Sequence, residues 1–88
     1  MEVAYTPGFI RMMKILPPDL QEEAIEKITL FKDSKNHSIL KVHKLQGRLK
    51  NRLSFWVNYK TRIVFIYTST KPKEAILLAI GDHDVYNK

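Results

Sequence analysis

Eighty-eight residues, 44% of them hydrophobic and 27% charged, suffice for one modest core and are too apolar for a disordered chain. The absence of cysteine excludes a disulfide framework and a thiolate metal site, the three scattered histidines do not suggest zinc, and no apolar run approaches the roughly 20 residues that cross a bilayer. The net charge of +6 is unevenly placed: Ser34 to Lys73 holds ten of the fifteen Lys and Arg residues and no carboxylate, a field that attracts a polyanion. One cytoplasmic domain over residues 1–88, with no cofactor, no metal and no membrane partner, is the expectation; "MEVAYTPGF" has neither the basic flank nor the apolar run of a signal peptide.

In chain order, "MEVAY" predicts a short strand. "TPGF" then starts a helix, with Thr6 able to cap it and Pro7 suited to its first position. Phe9, Met12, Met13 and Leu16 recur on one side of that helix, and "LPP" ends it, because proline lacks an amide donor and disfavours helical geometry in the residue before it. A second helix is predicted from about Asp19 to Lys32. Asp19 and Glu22 have capping-box spacing, and Leu20, Ala24, Ile28 and Phe31 form an apolar stripe suited to covering a sheet.

The stretch "KDSKNHSILKVHKLQGRLKN" reads as a basic loop, after which the period becomes two. In "RLSFWV", Leu53, Phe55 and Val57 face one side and Arg52, Ser54 and Trp56 the other. "NYK" is a tight connection, and "TRIVFIY" and "EAILLAI" are strands joined by "TSTKPK". Both are apolar on both faces and should sit centrally. The predicted class is α+β: an N-terminal strand, a helical hairpin and a three-stranded antiparallel meander, in the order β-α-α-β-β-β.

Arg62 interrupts an apolar strand. Alternation puts it with Val64 and Ile66, opposite Ile63, Phe65 and Tyr67; if the helices cover the second face, the guanidinium lies on an exposed one, facing an anion. An ion pair with Asp82 or Asp84 is the competing explanation. His83 follows the last strand beyond Gly81 and can exchange a proton near neutral pH; Tyr86 would share its side in a helical turn. His43, in "KVHKLQG", is a second titratable group. Cations and proton-transfer groups without a metal ligand set suit cleavage of RNA through its own 2′-hydroxyl, where the substrate supplies the nucleophile.

"HKLQG", a strand with Trp56, "YKTRIVFIY" and "AILLAIGDHDVY" together resemble the RelE/ParE toxin superfamily over essentially the whole chain. The resemblance implies a RelE-like fold and, in the RelE and YafQ branches, a metal-independent ribonuclease that enters the ribosomal A site and cuts messenger RNA. It implies proton-transfer roles for His43 and His83, charge stabilisation by Arg62, and a terminal aromatic, Tyr86, that stacks on or orients a base. Lys41, Lys44, Arg48, Lys50 and Arg52 would hold phosphates. RelE carries a lysine pair on the first hairpin strand; here that strand is "RLSFWV", leaving Arg52 and nearby Lys50 as substitutes, and a further hairpin histidine of the YafQ branch has no counterpart. The implied partners are a cognate antitoxin, whose acidic or helical segment covers the open sheet face, and the ribosome with its message. Operator DNA would be met only through the antitoxin complex. Two other readings share the scaffold: a ParE-like inhibitor of DNA gyrase, and a degenerate toxin that only binds its antitoxin.

Overall fold

One hydroxyl fastens the helical layer to the sheet. Thr6 Oγ1 accepts the Phe9 amide at 3.1 Å, capping the first helix, and donates to the Leu77 carbonyl at 2.9 Å. The computed structural model describes residues 1–47, 51–82 and 85. It contains β1 (Val3–Tyr5), α1 (Pro7–Lys14), α2 (Pro18–Phe31), one 3-10 turn (Ser34–Asn36), β2 (His43–Lys44), β3 (Leu53–Trp56), β4 (Arg62–Tyr67) and β5 (Ala75–Gly81). The five strands lie in the order β1-β5-β4-β3-β2, antiparallel throughout except for the parallel pair β1 and β5. This is the predicted α+β class, and the meander of β3, β4 and β5 is its centre. No helix among the described residues is long and apolar enough to cross a membrane.

Two local expectations are corrected. The capping box at Asp19 does not form, because Pro18 takes the first helical position and Pro17 the cap, which moves Asp19 inside the first turn. A proline there sacrifices no intrahelical bond, and Asp19 instead meets the positive end of the helix dipole. The basic stretch read as a loop carries the 3-10 turn and the edge strand β2, whose two residues are too few to show a period.

The main core lies between the helices and one sheet face, where Phe9, Ala24, Ile28 and Phe31 meet Phe55, Val57, Ile63, Phe65, Leu77 and Ile80. Phe31 organises it. Its ring stacks on Phe55 at 4.3 Å and on His37 at 4.8 Å, and meets Phe65 edge-on at 4.8 Å. The opposite face has a smaller cluster of Leu45, Val64 and Val85, with Met12, Leu78 and Ala79 against it. Pairing shifts at Val64 and Phe65, which face Ala79 and Leu77, so Leu78 is an extra residue on β5. This bulge explains why both faces of "AILLAI" are apolar: Leu77 and Ile80 serve the main core, while Leu78 and Ala79 serve the second cluster.

Candidate active site

The face away from the helices is ordered by strand register. One row runs His43, Ser54, Val64 and Ala79 across β2, β3, β4 and β5; the next runs Trp56, Arg62 and Gly81 across β3, β4 and β5. Because cross-strand partners share a face, His43, Ser54, Trp56 and Arg62 stand together on it. From strand spacing and rise, two strands across and one row along put the Cα atoms of His43 and Arg62 roughly 12 Å apart, within the combined reach of their side chains.

Arg62 is on the expected face, but the expectation that it is open to solvent is corrected: it is 4% exposed. Its Nη1 donates to the carbonyls of Asn58 at 2.6 Å and Thr61 at 3.3 Å, and its Cζ lies 3.9 Å from the Trp56 ring centroid. The Lys41 ammonium is 5.3 Å from the same ring. The indole covers one side of the planar guanidinium, while two carbonyls accept hydrogen bonds from its Nη1. The ion pairs of Lys27 with Glu26 and of Lys35 with Asp33 lie elsewhere and do not involve Arg62.

His43 is exposed, and its Nδ1 lies 2.7 Å from the Lys41 carbonyl. A carbonyl oxygen only accepts, so Nδ1 carries the hydrogen and the lone pair of the neutral ring belongs to Nε2. Lys41 makes this possible by an unusual backbone: its φ is 58°, left-handed for a non-glycine residue. The turn is held on both sides. Leu40, 2% exposed, gives its carbonyl to the Trp56 amide at 2.8 Å, and the Val42 amide donates to His37 at 3.0 Å.

The register also separates residues that the sequence grouped as phosphate-holding. Lys41 reaches Trp56 and so belongs to the site. Arg52 alternates onto the same face as Ser54, and its carbonyl accepts the Leu45 amide at 2.8 Å. Lys44 pairs with Leu53, so its side chain leaves on the other face at the sheet edge. Arg48, Lys50, His83 and Tyr86 lie outside the described residues. Gly81 is directly opposite Arg62, the Val85 amide donates to the Asp82 carbonyl at 3.0 Å, and Val85 packs on Val64 and Leu45. Val85 therefore lies over this face.

Two contributors have no role in the sequence reading. Trp56 was visible as the large aromatic across from Arg62 once the hairpin was paired. Asn58 opens "NYK" and has the composition of a turn that bonds its own backbone, which is the signal for its part in the site.

No family model matches this chain, and no curated protein matches it in sequence. Solved structures do match in shape. The YoeB/ParE toxin from Agrobacterium tumefaciens superposes with a TM-score of 0.74 at 15% identity, covering 94% of this chain and 99% of that one. The E. coli DinJ-YafQ toxin-antitoxin complex gives 0.72 at 16% identity, covering 96% of this chain and 93% of its match. The YoeB-YefM complex from Staphylococcus aureus gives 0.69 at 15% identity, covering 94% and 97%. The fold is that of the RelE, YoeB and YafQ toxins. At such identities the likeness establishes architecture, and chemistry has to be argued from the residues.

Proposed function

We propose that this chain is the toxin of a type II toxin-antitoxin pair and acts as an endoribonuclease, cutting messenger RNA in the ribosomal A site and so stopping translation. The observation that carries the reading is the presence, on one sheet face and one row apart, of an imidazole with a bare Nε2 at His43 and a guanidinium without a described counter-ion at Arg62. His43 Nε2 takes the proton of a ribose 2′-hydroxyl. The oxygen attacks the adjacent phosphorus, the bond to the 5′ oxygen breaks, and that oxygen receives a proton from His83. The products are a 2′,3′-cyclic phosphate and a free 5′-hydroxyl. Arg62 stabilises charge on the non-bridging oxygens, Tyr86 stacks on or orients a base beside the scissile bond, and Lys41 and Arg52 hold flanking phosphates. Arg48 and Lys50 extend the cationic track, so affinity for RNA falls steeply with salt.

The antitoxin partner follows from the same features. A charge of +6, with cations concentrated between Ser34 and Lys73, calls for an acidic segment, and one laid over the sheet face would bury His43 and silence the site. A cytoplasmic setting, where messages are translated, goes with this activity.

The test is induction of the chain in cells with mapping of message 5′ ends. Codon-phased cuts that disappear in His43→Ala, His83→Ala and Arg62→Ala support the proposal. Intact messages with DNA-damage signalling would point to the gyrase-inhibitor reading, and normal growth with neither effect to a chain that only binds an antitoxin.

A further inference from the structure

Asn58 joins three parts of the molecule. Its Oδ1 accepts the amides of Lys60 at 2.9 Å and Thr61 at 2.8 Å, closing the connection between β3 and β4 on itself. Its Nδ2 donates to Glu23 Oε1 at 2.8 Å, tying that connection to α2. Its carbonyl, whose direction is thereby fixed, is the 2.6 Å acceptor of Arg62 Nη1. On the other side of the guanidinium stands the Trp56 indole, held in register by backbone pairing to Arg62 and by its own amide bond to the Leu40 carbonyl.

The charge of an arginine that is 4% exposed is normally balanced by a carboxylate, because hiding a charge from water is costly. Here the described partners are two carbonyls and a π face, all of them neutral. They compensate the lost hydration through dipoles and bring no counter-charge of their own. From this we infer that Trp56 and Asn58 are positioning residues: they form a neutral clamp that holds Arg62 flat and charged against the phosphoryl group of the substrate. The role rests on the nuclease reading for its chemistry, but the clamp makes a claim about anion binding that stands apart from cleavage. A flexible arginine would still attract RNA through its charge. A clamped one also meets the equatorial oxygens of the transition state without reorganising, so losing the clamp lowers kcat while KM stays put.

The experiment uses the full chain at low salt, where a single anion contact is not screened. Inorganic phosphate is titrated while the Arg62 Nε–H resonance is followed, and kcat and KM are measured separately on programmed ribosomes, for wild type, Trp56→Phe, Trp56→Leu and Asn58→Ala. The wild-type Arg62 resonance is expected to be sharp and to move with phosphate. In Trp56→Leu and Asn58→Ala phosphate affinity should fall about tenfold, and kcat at least about tenfold with KM within about twofold, whereas Trp56→Phe, which keeps a ring to stack on, should retain most of both. Variants whose backbone amide spectra match wild type but whose phosphate binding and kcat are unchanged would overturn the inference. So would a wild type that ignores phosphate while Asp82→Asn or Asp84→Asn binds it, because a carboxylate would then neutralise the guanidinium. If phosphate binding follows the clamp and no variant, wild type included, cuts RNA, the clamp stands and the nuclease reading falls.

Discussion

Trp56 and Arg62 are partners twice over: they face each other across β3 and β4, and the guanidinium carbon rests 3.9 Å from the centre of the indole. The side chain at position 62 is thus enclosed like a core residue, although the carbonyls and the ring that it meets are neutral. On the proposed function, that arrangement serves a ligand and not the fold. Arg62→Met, which fills similar volume without a charge, is expected to leave the free energy of unfolding within about 1 kcal/mol of wild type or to raise it. The same variant should lose cleavage by about a hundredfold or more. Urea denaturation and ribosome-programmed cleavage measure the two. A stability loss of about 3 kcal/mol or more would make the arginine a structural element instead.

The two helices and the meander were legible because each carries a strong local signal: Thr6 with Pro7, the stripe ending in Phe31, and the alternation of Phe55 and Val57 against Ser54 and Trp56. The bulge at Leu78 was not, since in an apolar run an inserted residue leaves no break in the pattern. The site was legible as a list of residues and not as an arrangement. Alternation alone put Arg62 on the correct face, but its burial depends on Trp56 and on the Asn58 carbonyl, and a cross-strand stack is a property of register. The tautomer of His43 was equally hidden, because it is set by the left-handed backbone of Lys41, a conformation that lysine does not advertise.

Phe31 joins a helix, a turn and two strands through its ring. It is fully buried at the end of α2 and touches Phe55, Phe65 and His37 at centroid distances of 4.3, 4.8 and 4.8 Å. Truncation there empties the junction of helix, turn and both central hairpin strands. Phe31→Ala is expected to cost about 3–5 kcal/mol, enough to consume much of the stability of a domain this size, whereas Phe31→Leu should cost less than half as much. Denaturant midpoints at constant m-value provide the check.

Alkaline conditions should loosen the molecule through Tyr67. Burial raises the pKa of its phenol above 10.0, although the Lys73 ammonium lies 4.8 Å from the ring. Below about pH 10 both folded and unfolded chains keep the proton, and the group contributes no pH dependence. Above that value the unfolded chain releases its proton first, so it binds fewer protons than the folded one, and stability falls as pH rises through the folded-state pKa. The stability difference between wild type and Tyr67→Phe should be constant up to about pH 9.5 and then change steadily at the expense of wild type. Paired urea titrations at several alkaline pH values read it directly, and parallel curves for the two proteins would show that the phenol is not held neutral by the fold.

The sharpest chemical expectation concerns which nitrogen of His43 is reactive. Its Nδ1 sits 2.7 Å from the Lys41 carbonyl, and only a protonated nitrogen can bond there. The neutral ring is therefore the less common Nδ1–H tautomer, with Nε2 directed away from the backbone. A base must present its lone pair to the substrate, so this bond performs the orienting task that a carboxylate performs in other histidine sites. Nitrogen-15 spectra of the neutral ring should show Nδ1 protonated and Nε2 bare, and His43→Gln should abolish cleavage while leaving the fold intact. Substituting Lys41 by glycine offers a second handle, because glycine adopts the left-handed backbone at least as readily and keeps the carbonyl in place. Lys41→Gly should therefore preserve the tautomer and weaken RNA binding through the lost cation alone, whereas Lys41→Val, which resists that backbone, should scramble the tautomer and lower kcat as well. Equal losses in the two variants would separate the imidazole from the turn that holds it, and leave His43 without its claim to be the base.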